Sequence, residues 1–235
     1  MSPLWIYTII AVVGYLIGTI SFARLVFAKL KPGETPDFIR TPTTDGQAEL
    51  ISHAVGATNV MIAFGPRWGM LVTILDALKG FLPTLALLVA FPEDSYHLAA
   101  AVAVLTGHLW PVWHRFSGGG GNSSIMGMLL AISPLGLLIT HAGGMLIGRF
   151  APIFAFLGGI VLTIPWFAFR DGVYSPEVAF ALAISILYVL AEIPEMLQLR
   201  NLKRNGHVLD HRHVLSMMKK SAATGEPGKS FGDRK

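Results

Sequence analysis

Apolar residues run in long blocks rather than in short alternation. No charge interrupts the chain from Met1 to Ala23. A helix needs about 20 residues to cross the hydrocarbon of a bilayer, so a first span is predicted at Pro3–Ala28. Later blocks predict spans at Trp68–Phe91, His97–Trp113, Phe150–Phe169 and Pro176–Leu199. Asp76 and Lys79 lie inside the second block, and Glu192 and Glu195 lie near the end of the last. Between Phe116 and Gly148 stand 33 residues without Asp, Glu, Lys or Arg. A single helix of that length would measure about 50 Å, too long for one crossing and short for two. Ser133-Pro134 in its middle favours a break, because proline donates no N–H and restrains the residue before it.

Charge decides that stretch. With two short spans there, the total is seven. Lys29, Lys31, Arg40, Arg67, Arg115, Arg149 and the C-terminal basic residues then share one side, with Arg170 opposite. Positive residues gather on the cytoplasmic side. The expected fold is therefore all-α, a polytopic membrane protein of about seven transmembrane helices, N-terminus outside and C-terminus cytoplasmic. Composition agrees: of 235 residues, 53% are apolar and 14% charged, against roughly a quarter charged in soluble domains, and mean hydropathy is +0.58. A soluble enzyme, a disordered chain and a nucleic-acid module are excluded. The chain divides into a membrane-embedded part, 1–199, and a basic tail, 200–235, with nine Lys/Arg against three acids. After a span, such a tail suits an anionic inner leaflet. There is no cysteine, hence no disulfide and no thiolate metal site.

This topology gathers three polar segments at the cytoplasmic face: the loop Lys29–Arg67, the loop His114–Asn122, and the region from Glu192 onward. Gly118-Gly119-Gly120-Gly121 precede a predicted span. Glycine permits close backbone approach to a ligand, and free N–H groups at the following helix start suit phosphate; the plainer reading is a flexible turn. Ser52-His53 through Gly56-Ala57-Thr58-Asn59 offer hydroxyl, imidazole and amide groups, or an interfacial loop capped by Ser and Asn. Asp76 and Lys79 share a helix face, as a structural ion pair or as part of the chemistry. His108 lies among apolar residues, and Arg115 stands beside the glycines. Glu192 and Glu195 share a face as an acid–base pair or as helix-end charges. His207, Asp210, His211 and His213 read as a solvated tail rather than a metal site.

The order of these fragments resembles the bacterial integral-membrane acyl-phosphate:glycerol-3-phosphate acyltransferases. Gly18-Thr19-Ile20-Ser21 is similar to that family's G-S-I turn. Ser52 and Gly56-Ala57-Thr58-Asn59 partly match its G-S-G-N-x-G-A-T-N loop. Asp76-Ala77-Leu78-Lys79-Gly80 matches D-x-x-K-G, and Gly107-His108, Trp110-Pro111-Val112, Phe116 and Gly118, Gly119 and Gly121 match G-H-x-W-P-V-F-F-x-F-K-G-G-K-G. The resemblance implies transfer of an acyl chain from acyl-phosphate to the 1-hydroxyl of glycerol 3-phosphate, giving lysophosphatidic acid for phospholipid synthesis. It implies a multi-pass protein of the bacterial inner membrane, a monomer, with no metal and no cofactor. Ser52, Thr58 and Asn59 are its expected catalytic residues. Gly118, Gly119, Gly120, Gly121, Arg115, Lys79 and His108 are expected at the phosphates, supported by Gly56, Asp76, Glu192 and Glu195. The chain departs from the pattern at His53, Ala54 and Ile62, at Ser117 and Gly120 in place of two lysines, and at Ala191, Glu192 and Glu195 in place of R-H-x-x-N. Those changes motivate one alternative, a re-purposed or inactive relative that binds a phosphorylated or lipid ligand. Acidic residues inside spans motivate another, a small-solute or ion transporter.

Overall fold

The computed structural model describes residues 4–34, 38–149, 154–210 and 216. It is mainly helical: α1 (Leu4–Gly18), α2 (Phe22–Leu30), α3 (Ala57–Phe64), α4 (Pro66–Ala90), α5 (Tyr96–Leu109), α6 (Asn122–Ile132), α7 (Pro134–Gly148), α8 (Phe154–Val161), α9 (Thr163–Asp171) and α10 (Pro176–Arg204). A two-stranded antiparallel hairpin, β1 (Ile39–Pro42) and β2 (Glu49–Ser52), lies between α2 and α3. Among the described residues, Leu4–Leu30, Pro66–Ala90 and Pro176–Arg204 are long and apolar enough to cross a membrane. The chain forms two compact units.

The first unit takes residues up to Ile20, then Asp76–Phe116 and Gly121–Ala191. Its core gathers Leu105, Ile125, Met128, Ile160, Phe167 and Ile184. Small residues let its helices approach closely, as lipid-embedded helices require. A Cβ on Gly18 or Gly107 would strike the facing backbone where α1 crosses α5, and one on Gly127 of α6 would strike the Ala77 carbonyl of α4. The uncharged stretch breaks where expected, between α6 and α7. Pro134 opens α7, and the Ser133 hydroxyl accepts from the Gly136 N–H at 3.2 Å and from the Trp166 indole at 3.1 Å. With 11 and 15 residues, α6 and α7 measure about 17 and 22 Å.

Two expected spans are interrupted. The first ends at Gly18 and resumes as α2; at the break the Lys79 ammonium donates to the carbonyls of Gly18 and Ile20 at 3.3 and 2.8 Å. The fifth apolar block divides into α8 and α9 at Leu162; residues 150–153 lie outside the described part.

The second unit takes Ser21–Leu75, Ser117–Gly120 and the chain from Glu192. Phe27, Val55, Val60, Ala63 and Val72 form its core, with the rings of Phe27 and Phe64 edge to face at 4.7 Å. The polar segment read as a loop is thus a folded substructure. Its strands have four residues each, too few for their alternation to stand out in the sequence. The chain after α10 joins the hairpin as well. The Thr44 N–H donates to the Val208 carbonyl at 2.7 Å and the Asp210 N–H to the Pro42 carbonyl at 2.9 Å. His207 Nδ1 lies 2.8 Å from Asp45 Oδ2. The expectation of a solvated tail therefore fails at His207 and Asp210: backbone pairing and the His207–Asp45 contact hold this segment. His211 and His213 lie outside the described residues.

Candidate active site

In the second unit, Ser52 closes β2, opposite Ile39. Three residues on, the Val55 N–H donates to the Gly118 carbonyl at 2.8 Å. The serine segment and the glycine loop, far apart in sequence, are joined at that bond. Arg24, on α2, donates from Nη2 to the Ser117 carbonyl at 3.1 Å, so a guanidinium stands at the first residue of the glycine loop. Asn59 is buried, and its Oδ1 accepts from the Gly56 N–H at 3.0 Å, which holds the start of α3. Thr58 and His53 are exposed and Ser52 is half-buried. Glu192 and Glu195 are half-buried on α10 in the same unit.

β2 is held from its other side too. Gln198 on α10 accepts from the Ile51 N–H at 3.2 Å and donates to the Ile51 carbonyl at 3.3 Å. Its carboxamide thus completes both backbone groups of the residue before Ser52. The serine segment, the glycine turn and the foot of the last helix are one connected substructure.

The first unit holds a second polar cluster. Lys79 Nζ is 2.8 Å from Asp76 Oδ1, both side chains are buried, and His108 Nδ1 stands 3.8 Å from the same oxygen. The Ser124 hydroxyl donates to the Asp76 carbonyl at 3.0 Å. One turn along α4, Gly80 lets the Ser124 backbone approach where a Cβ would collide with its carbonyl. The spacing of D-x-x-K-G thus has a structural reason: an ion pair on one helix face and a close crossing one residue later. Lys79 and His108, expected at the phosphates, sit in this buried cluster. Arg115 is exposed with φ of 52°, followed by Phe116 at 60°. Gly121, with φ of 83°, precedes α6 and packs against Leu105 and Leu109.

Two residues that the motifs do not reveal belong to this region, Arg24 and Gln198. Arg24 carries the first charge after the opening apolar run, a visible signal, but its partner lies 93 residues away. Gln198 makes backbone contacts 147 residues away, and nothing in its local sequence marks it.

Long apolar helices with ionisable groups paired inside them define an integral-membrane helical protein. A family model described as glycerol-3-phosphate acyltransferase matches residues 8–201. The glycerol-3-phosphate acyltransferase of Anaeromyxobacter dehalogenans is 33% identical over 197 residues, covering 81% of this chain and 92% of that one. That of Aquifex aeolicus is 36% identical over 126 residues, 53% of this chain; the matched stretch spans 59% of the relative's length. The fold is also similar to crystal structures of PlsY, an integral membrane glycerol 3-phosphate acyltransferase, in its glycerol 3-phosphate and lysophosphatidic acid forms. Those likenesses have TM-scores of 0.67 and 0.66 at 27% and 28% identity, over 83% of this chain and 92% of the other. The chain belongs to the glycerol-3-phosphate acyltransferase family.

Proposed function

We propose that the protein transfers a fatty acyl group from acyl-phosphate to glycerol 3-phosphate. The 1-hydroxyl oxygen forms the ester bond to the acyl carbonyl carbon, and the bond from that carbon to the phosphate oxygen breaks. Lysophosphatidic acid and inorganic phosphate leave, with the hydroxyl proton carried away on a phosphate oxygen. The observation that carries this reading is the Val55–Gly118 hydrogen bond, with Arg24 on neighbouring Ser117. It couples a hydroxyl-bearing segment to a glycine loop and a guanidinium, groups suited to phosphate and to a developing oxyanion. Within the second unit, Gly118, Gly119 and Gly120 with Arg24 hold phosphate. Ser52, Thr58 and Asn59 orient the polar head and the acyl carbonyl, with Gly56, Glu192 and Glu195 supporting them. Asp76, Lys79 and His108 brace the helices. Catalysis then rests on positioning and electrostatics without an acyl-enzyme.

In this reading the chain makes seven crossings of the bacterial inner membrane as a monomer, N-terminus outside. Residues 1–199 form the membrane-embedded part, and the basic segment 200–235 meets an anionic inner leaflet. The short α6 and α7 supply two of the crossings, the bilayer thinning to suit them. Purified protein in detergent with palmitoyl-phosphate and glycerol 3-phosphate is the test. Lysophosphatidate above a heat-killed control is expected, and its absence would remove the activity.

A further inference from the structure

We infer that Gln198 is a positioning residue for the reaction. It fixes β2 through both backbone groups of Ile51 and so sets the place of Ser52 against the glycine loop. The inference rests on the proposed site, because it assigns a role to the strand that carries Ser52. The geometry is specific. A carboxamide presents one donor and one acceptor side by side, matching a backbone N–H and C=O. Gln198 uses both, at 3.2 and 3.3 Å, on a single residue. Ile51 in turn pairs across the hairpin with Arg40, so the strand is held from β1 and from α10 together. Ser52 follows at once, paired with Ile39 at the end of the hairpin, and the next backbone anchor is the Val55–Gly118 bond at 2.8 Å. Ser52 is thus held by the strand that Gln198 anchors at Ile51, and His53–Ala54 link it to the second fixed point, Val55 on the glycine loop. Its position follows from both.

Gln198 touches none of the reacting groups in this account, so its effect must travel through the strand. Leucine has nearly the same size but cannot pair, and asparagine is one methylene too short to reach both groups. In Gln198→Leu the Ile51 amide should exchange with deuterium faster, and kcat per folded molecule should fall about tenfold, the equivalent of the two lost hydrogen bonds. KM for glycerol 3-phosphate should stay near wild type, and the melting temperature should fall by no more than the few degrees that two lost hydrogen bonds cost. Gln198→Asn should move exchange and kcat the same way by less. Unchanged exchange at Ile51 in both variants overturns the inference. So does faster exchange at wild-type kcat, which leaves the site reading standing if Ser52→Ala is inactive. Ser52→Ala at wild-type kcat overturns the site reading itself, and the positioning role with it.

Discussion

The Arg24 guanidinium stands at Ser117, the residue that opens the glycine loop. Two lysines expected there by resemblance are Ser117 and Gly120 in this chain, and Arg24 reaches the Ser117 carbonyl from another helix. Charge-assisted hydrogen bonds contribute about 1.5–3 kcal/mol. Arg24→Gln should therefore lower kcat/KM for palmitoyl-phosphate by about 10- to 150-fold, and Arg24→Lys by less, since lysine keeps the charge and loses the fork. Steady-state kinetics on the two variants checks this; equal rates for Arg24→Gln and wild type would take Arg24 out of the site. The Asp76–Lys79 pair behaves differently. Both groups are buried, so removing one leaves the other uncompensated, at a cost of about 3–5 kcal/mol. Asp76→Asn should lower the unfolding temperature in detergent markedly, and adding Lys79→Met should recover part of the loss. Additive losses would show that the pair is not the source of the stability.

Among the elements, the hairpin and the close helix crossings were the least legible. The long helices announce themselves by length and hydropathy, and the α6–α7 break by Ser133-Pro134. The hairpin did not, because its partners come from residues 207–210 and from Gln198 rather than from a strong local pattern. The turn of this hairpin carries a pH-sensitive tie. The Thr43 hydroxyl, the Gln47 N–H and His207 hold the Asp45 carboxyl down at about 2. The folded state therefore binds this proton less tightly than the unfolded chain, whose Asp titrates near ~3.9. The tie's contribution is complete above about pH 4 and is lost as pH falls through about 2. An NMR titration of the Asp45 carboxyl should give a midpoint near the lower value; one near 4 would contradict the contacts. At the α4–α6 crossing, Gly127→Ala places a methyl against the Ala77 carbonyl. Overpacking of this kind costs about 1–3 kcal/mol, measurable as a lowered unfolding temperature in detergent, whereas an unchanged one would mean the helices do not meet there.

For the whole molecule, a mainly helical membrane fold and the family were legible because each rests on features that survive substitution: apolar block length and glycines required by close approach. Gly18, Gly80 and Gly107 match the motif because backbone would fill the place of a side chain. The site was legible only in part. Ser52 and the glycine loop carried a signal, but Arg24 and Gln198 reach this region through contacts 93 and 147 residues away, which no local spacing encodes. Lys79 shows the reverse. Its motif marks it, while its ammonium is engaged by Asp76 and two helix carbonyls. The most direct measurement of the central claim is the rate of inorganic-phosphate release from palmitoyl-phosphate by the purified protein as glycerol 3-phosphate is raised. The account predicts release that saturates with glycerol 3-phosphate, one phosphate for each lysophosphatidate formed. Release that ignores glycerol 3-phosphate, or none at all, would contradict it.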